Sequence, residues 1–300
     1  MTLYKLVVQD KKPRKLGAFL VKNGFSKQAI NDAKNHQGLL LVNHKRRYTS
    51  FQLQRGDEVI FVPGKEKTNP WLRPISAQVE IIAENTNYLV VNKPAGLLSI
   101  PSRYDDDALV NRVLSYFAQN KVPDAKPHVV TRLDRNTSGL VLIGKNAIAH
   151  ARFSKLSKAD FVKKYYAIVH GNFAAGKTNG IVDAPIGRVG TAVLRGVQSD
   201  GKQAVTAYRV LDQLPGVSLV ELRLYTGRTH QIRVHLQYLN HPLFGDPLYG
   251  ITDEFNRQAL HCFYLAFPDP FTGQPVELEI PAASDMQQLW QNLQRKKGCQ

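Results

Sequence analysis

His128-Val129-Val130-Thr131-Arg132-Leu133-Asp134-Arg135-Asn136-Thr137-Ser138-Gly139-Leu140-Val141-Leu142 is the segment on which the reading of this chain turns. An aspartate stands between two arginines in a polar stretch, and that stretch feeds an apolar run, Leu140 to Ile143, of strand type. Opposite charges nearby favour the carboxylate form of Asp134. Thr137 and Ser138 carry hydroxyl donors that could orient it. An ionised, oriented carboxylate is what covalent catalysis by aspartate requires. The same grouping also fits a structural ion pair that anchors a loop. On the residues alone the structural ion pair is the preferred reading.

Outward from Asp134, strand-like runs dominate. They are Val79–Ala83 and Tyr88–Val91 before it, then Tyr165–Val169, Val205–Val210, Val217–Tyr225 and Val276–Ile280. Val217–Tyr225 is apolar on most of both faces, which predicts a central strand. Asp105 to Asp107 place negative charge at the start of a helix that continues through Leu109, Val113 and Phe117. Strands crowd the second half with short connections. The expected fold is α+β, with a mixed, mainly antiparallel sheet over residues 79–300.

The front of the chain is a separate unit. Pro63 to Pro70 is polar and bounded by prolines, so residues 65–78 read as a linker behind a small module, residues 1–64. Leu16, Phe19 and Leu20 have helical spacing, and Gly24 stops that helix. Ser26 caps a second helix carrying Ile30 and Ala33, with Gly38 at its end. Leu39–Val42 and Asp57–Val62 read as strands, with Asn43-His44 as a turn. The basic cluster Lys45, Arg46, Arg47 follows that turn. Two short helices, a hairpin-like ending and a basic cluster resemble the α-L RNA-binding module shared with a small-subunit ribosomal protein.

Charge names a class of partner. The chain holds 40 Lys+Arg against 24 Asp+Glu, a net of +16. Residues 1–74 alone carry +10 of it. That imbalance points to a polyanion. A membrane surface would want a basic amphipathic helix with aromatics opposite, and the one Trp here, Trp71, lies between prolines. Nucleic acid is the better reading. No run of eighteen apolar residues appears, so no membrane partner is expected. The N-terminus lacks the pattern of a secretory leader. With two cysteines, Cys262 and Cys299, no disulfide framework is expected either, and the cytoplasm is the expected compartment.

Cofactor signals fail on context. Gly171-Asn172-Phe173-Ala174-Ala175-Gly176-Lys177-Thr178 fits a phosphate loop by letter, but Asn179-Gly180 and Pro185 follow where a helix is needed. No dinucleotide fingerprint follows a strand. His230 and His235 would lie roughly 140° apart on a helix, which does not suit a metal. Neither a nucleotide, another cofactor nor a metal is expected.

A family resemblance then organises the motifs. Arg132 through Leu140 is similar to the signature of the RluA-type pseudouridine synthases, His-Arg-Leu-Asp-Arg-x-Thr-Ser-Gly-Leu, with Thr131 in place of the usual His. Val90 to Gly96 resembles the family's Asn-Lys-Pro-x-Gly segment. Lys164 to Gly171 resembles its tyrosine-bearing strand. Thr226 to Leu236, with His241, Pro242, Gly245, Asp246 and Tyr249 after it, resembles its late motif. The four occur in family order. The resemblance implies isomerisation of uridine to pseudouridine within RNA by base flipping, without a cofactor.

The resemblance also implies roles. Asp134 is the expected nucleophile or base. Arg132 fills the space left by the flipped base, Tyr165 stacks on that base, and Arg233 pairs with the catalytic carboxylate. Arg228 and His230 are further candidates for RNA contact. Ribosomal RNA is the favoured substrate, transfer RNA the alternative, and a monomer the expected state. The competing classes are an RNA-binding factor that has lost its chemistry, which would predict damage at Asp134, Tyr165 or Arg233, and a nucleotide-dependent RNA enzyme resting on Gly171 to Thr178.

Overall fold

The computed structural model describes residues 3–10, 12, 14–66, 70–122, 125–190 and 194–298. Two compact units divide the chain. One comprises residues 1–90, 100–131 and 142–156, the other residues 91–99, 132–141 and 157–300.

In the first unit, Tyr4–Val7 (β1), Leu39–Val42 (β3), Lys45–Arg46 (β4) and Glu58–Val62 (β6) form an antiparallel sheet in the order β1-β6-β3-β4. Arg14–Lys15 (β2) and Gln52–Leu53 (β5) pair beside it. The helices are Leu16–Lys22 (α1) and Lys27–Asn35 (α2). Ser26 caps α2 as expected, its Oγ accepting from the Ala29 amide at 3.0 Å. Asn43 and His44 both take positive φ, 51° and 64°, the two-residue hairpin turn that matches strand twist. Phe25 and Phe61 form the core of this sheet, with ring centroids 4.3 Å apart.

The same unit holds Glu80–Glu84 (β7), part of Tyr88–Lys93 (β8), Leu109–Gln119 (α3), His128–Val129 (β9), the end of Ser138–Gly144 (β10) and Ala147–Phe153 (α4). The expected linker is not free chain at Glu66. Its carboxylate meets His128 Nε2 at 2.8 Å and accepts from the Ala147 amide at 2.7 Å, at the start of α4. Lys67 to Asn69 lie outside the described residues. The helix expected to start at Asp105–Asp107 begins at Leu109 instead, after an Ala108 N-cap with no side-chain bond. Asp107 is drawn off to chelate Arg112, at 2.8 and 2.7 Å.

The second unit is built on Val162–His170 (β11), Asn179–Asp183 (β12), Ile186–Arg188 (β13), Arg195–Val197 (β14), Val205–Leu214 (β15), Val217–Leu224 (β16), Leu260–Pro268 (β17) and Pro275–Glu279 (β18). Its helices are Gln231–Tyr238 (α5) and Ser284–Gly298 (α6). Its strands run in the order β12-β15-β16-β11-β17-β10, with β18 on β17. β16 lies between β15 and β11, antiparallel to both, the central position its apolar faces predict. The pairing of β10 with β17 is parallel, at Ser138↔His261 and Gly139↔Cys262. The fold is α+β with a mixed, mainly antiparallel sheet, as the strand pattern predicts. Residues 171–178 form a loop that leads into β12, so the letters of a phosphate loop carry no helix here.

Candidate active site

Asp134 sits on the loop that enters β10. The Thr137 amide closes a turn on the Asp134 carbonyl at 3.1 Å. Ser99 Oγ donates to the Leu133 carbonyl at 2.9 Å, and Arg135 Nε to the Gly96 carbonyl at 3.1 Å. Lys93, fully buried, aims its Nζ at three carbonyls, Pro94, Leu97 and Arg135, at 2.8 to 2.9 Å. Burial pulls the Lys93 pKa down to about 7, and the Asp134 charge opposes that fall. The loop is thus pinned on both sides of Asp134 by bonds to its main chain.

Thr137 and Ser138 do not orient the carboxylate. Ser138 Oγ pairs with His261 Nδ1 at 2.9 Å, and Thr137 Oγ1 accepts from Gln258 Nε2 at 3.2 Å. Both hydroxyls tie the start of β10 to the segment entering β17. Gly139 allows the close approach. Its φ is +116°, and an added Cβ would overlap the Cys262 backbone.

The cation facing Asp134 comes from α5. Arg233 Nη1 stands 3.5 Å from Asp134 Oδ2. The same guanidinium donates through Nε and Nη2 to Asp246, at 2.7 and 2.6 Å. Asp246 Oδ1 also accepts from the Leu248 and Tyr249 amides, at 3.0 and 3.2 Å. Burial works against the charge of Arg233, yet the bonds and charge of Asp246, with Asp134 and Tyr249 adding to them, together hold the pKa above its ordinary value. The Arg233 side chain is 4% exposed, that of Asp246 0% and that of Asp134 31%. Arg233 is therefore a buried, fixed cation with one face left for an accessible carboxylate.

The other expected residues divide. Tyr165 is buried on β11, and its phenol is held well above its ordinary pKa by burial, by Cys262 and by Asp134. Tyr166 faces the opposite side and stacks on Phe263 at 3.7 Å. His230 caps α5 in the left-handed region, φ 58°, with Nδ1 2.9 Å from the Tyr249 hydroxyl. Burial lowers its pKa, against the pull of Asp134. Arg228 Nε donates to the Gln203 carbonyl at 2.9 Å. Arg132 is exposed. His235, unlike a ligand, spends both nitrogens inside, on Thr206 at 2.9 Å and the Ala184 carbonyl at 3.0 Å. Lys45 and Arg46 are exposed in the first unit, where Arg47 lies over the Phe51 ring at 4.7 Å. The motifs contained Asp246, Lys93 and Tyr249, but no local signal assigned them partners. Asp246 is buried by a pairing thirteen residues back along the chain, which periodicity does not report.

The family model for RNA pseudouridylate synthase matches residues 87–238. This chain belongs to the RluA-type RNA pseudouridine synthase family. It is 39% identical over 270 residues to the uncharacterized RNA pseudouridine synthase YjbO of Bacillus subtilis, covering 89% of this chain and 94% of that one. To YlyB of the same organism it is 37% identical over 300 residues, 97% of each. To ribosomal large subunit pseudouridine synthase D of Zymomonas mobilis it is 39% identical over 241 residues, 73% of this chain and 74% of the other. Among solved structures it resembles human RNA pseudouridylate synthase domain containing 1, with a TM-score of 0.57, 25% identity and coverage of 76% and 98%. The pseudouridine synthase is an isomerase acting on RNA. Among the described residues no helix is long and apolar enough to cross a membrane.

Proposed function

We propose that the chain isomerises uridines in large-subunit ribosomal RNA, with Asp134 as the catalytic carboxylate. In this reaction the bond from N1 to C1′ breaks, the base turns over, and C5 bonds to C1′. The C5 proton leaves and N1 gains one, so no oxidant or external group enters. Asp134 serves as nucleophile or base, and Arg233 holds it ionised and aimed. Tyr165 packs against the flipped uracil. Arg132, exposed beside Asp134, fills the gap in the helix and spans to phosphate. Arg228 and His230 contact the same strand. Residues 1–64, with Lys45, Arg46 and Arg47, act as the RNA-binding module. The ribosomal assignment rests on similarity to a large-subunit synthase and on the basic front end.

One observation carries the catalytic assignment. Arg233 already has a buried carboxylate partner in Asp246, so Asp134 is not needed to neutralise it. A second carboxylate, left accessible against a satisfied cation, suits chemistry better than support.

The test is Asp134→Asn. Pseudouridine mapped in ribosomal and transfer RNA from cells with the variant should vanish at the sites the wild type makes. Melting should change little, because Arg233 keeps Asp246. Removing the partner of a buried ion pair would instead cost about 3 to 5 kcal/mol. Near-normal yield would sink the assignment. Sites confined to transfer RNA would overturn the ribosomal substrate alone.

A further inference from the structure

Lys163 lies two residues before Tyr165 on β11, so the two side chains share a face of the sheet. Its strand neighbours are Leu224 on β16 and Leu265 on β17, one on each side. Its stem therefore lies among apolar neighbours, while its exposure is intermediate and the amine keeps access to solvent. The buried lysines of the chain pair within the protein. Lys93 has its three carbonyls, and Lys145 meets Glu84 at 2.6 Å.

Lys163 does not. Among the described residues no carboxylate, carbonyl or hydroxyl accepts from its Nζ. The side chains that act on it electrostatically are the Cys262 thiol and a second cation, Lys158. The thiol offers no counter-charge, since burial pushes its pKa up to about 12. The amine lies over Gly227, where an added Cβ would stand 4.0 Å from Nζ. Gly227 is in the exposed turn that carries Arg228 and leads to His230 and α5. Lys163 thus borders the turn that carries Arg228, on the face it shares with Tyr165, and no carboxylate accepts from its Nζ.

We infer that Lys163 is a binding residue for an RNA backbone phosphate beside the nucleotide held at Asp134 and Tyr165. The inference rests on the proposed function of that site. A phosphate oxygen at Gly227 would supply the acceptor that the fold withholds, and Lys158 would add to the field that draws it in. The bare turn at Gly227 leaves room for the ligand.

The test uses the full chain and an unmodified transcript of large-subunit ribosomal RNA. In Lys163→Gln, Kd should rise about tenfold, as expected for one charge-assisted hydrogen bond. The slope of log K against log salt should flatten by about 0.7 to 0.9, the value of a single neutralised phosphate. Lys163→Arg should restore most of both. Without RNA, Lys163→Gln should melt no lower than wild type, because an unpaired cation has been removed. An unchanged slope in Lys163→Gln, or a lower melting temperature with unchanged affinity, would overturn the phosphate role. Pseudouridine yield of the wild type in the same reaction reports separately on the enzyme reading. If that yield is present while the slope is unchanged, only the phosphate inference fails.

Discussion

At the scale of single residues, the site is an ordering of burial. Asp246 is enclosed, Arg233 is fixed by it, and Asp134 is left in reach of solvent. The sequence made Asp134 legible because its motif is contiguous. The expectation that Thr137 and Ser138 would orient it failed because hydroxyls follow the nearest strand, and here that strand is β17. Ser138 and His261 show the cost of that choice. His261 is 1% exposed, and burial, with Arg257 adding to it, pushes its pKa down to about 4. The unfolded chain binds the His261 proton near pH 6.5, whereas the folded chain resists it until about pH 4. The stabilising effect is complete above pH 6.5 and is lost as pH falls toward 4, by about 3 kcal/mol. Urea unfolding from pH 7 to 4 should show this loss, and His261→Gln should flatten it. An equal pH dependence in the variant would mean that other groups carry the acid sensitivity.

At the scale of elements, the parallel pairing of β10 with β17 sets where Asp134 stands. Gly139→Ala should cost about 2 to 4 kcal/mol, combining a strained left-handed backbone with a side chain driven into Cys262. The readout is a lower urea midpoint at constant m-value. A midpoint within error of wild type would show that the strands can part there at no cost. Strands of uniform apolar character, such as β16, were legible in the sequence. β17 was not, because His261 and Cys262 interrupt it and Pro268 ends it. α5 was also hidden. Its inward residues include Gln231, Arg233 and His235, which are buried by hydrogen bonds rather than by apolar packing, so no apolar stripe marks the helix. Polar burial of this kind is specified by partners distant in sequence, and local pattern cannot name them.

At the scale of the whole molecule, charge is the most legible property and the least tied to fold. The front 74 residues hold +10 of the +16. Replacing Lys45, Arg46 and Arg47 together by Gln should weaken RNA binding. The salt slope should flatten by about 0.7 to 0.9 for each phosphate that the cluster no longer neutralises. Pseudouridine formation at saturating RNA should fall much less than affinity. An unchanged salt slope would reduce the cluster to a solvated face. The order in which the chain is made adds a last consequence of the Arg233 and β17 anchors. A polypeptide emerging from the ribosome exposes Asp134 first, and its guanidinium partner follows 99 residues later. The parallel pairing of Gly139 waits for Cys262. Pairings of such separation close late. The nascent chain therefore carries Asp134 without its cation until Arg233 has emerged, and Gly139 without its strand partner until Cys262 has followed.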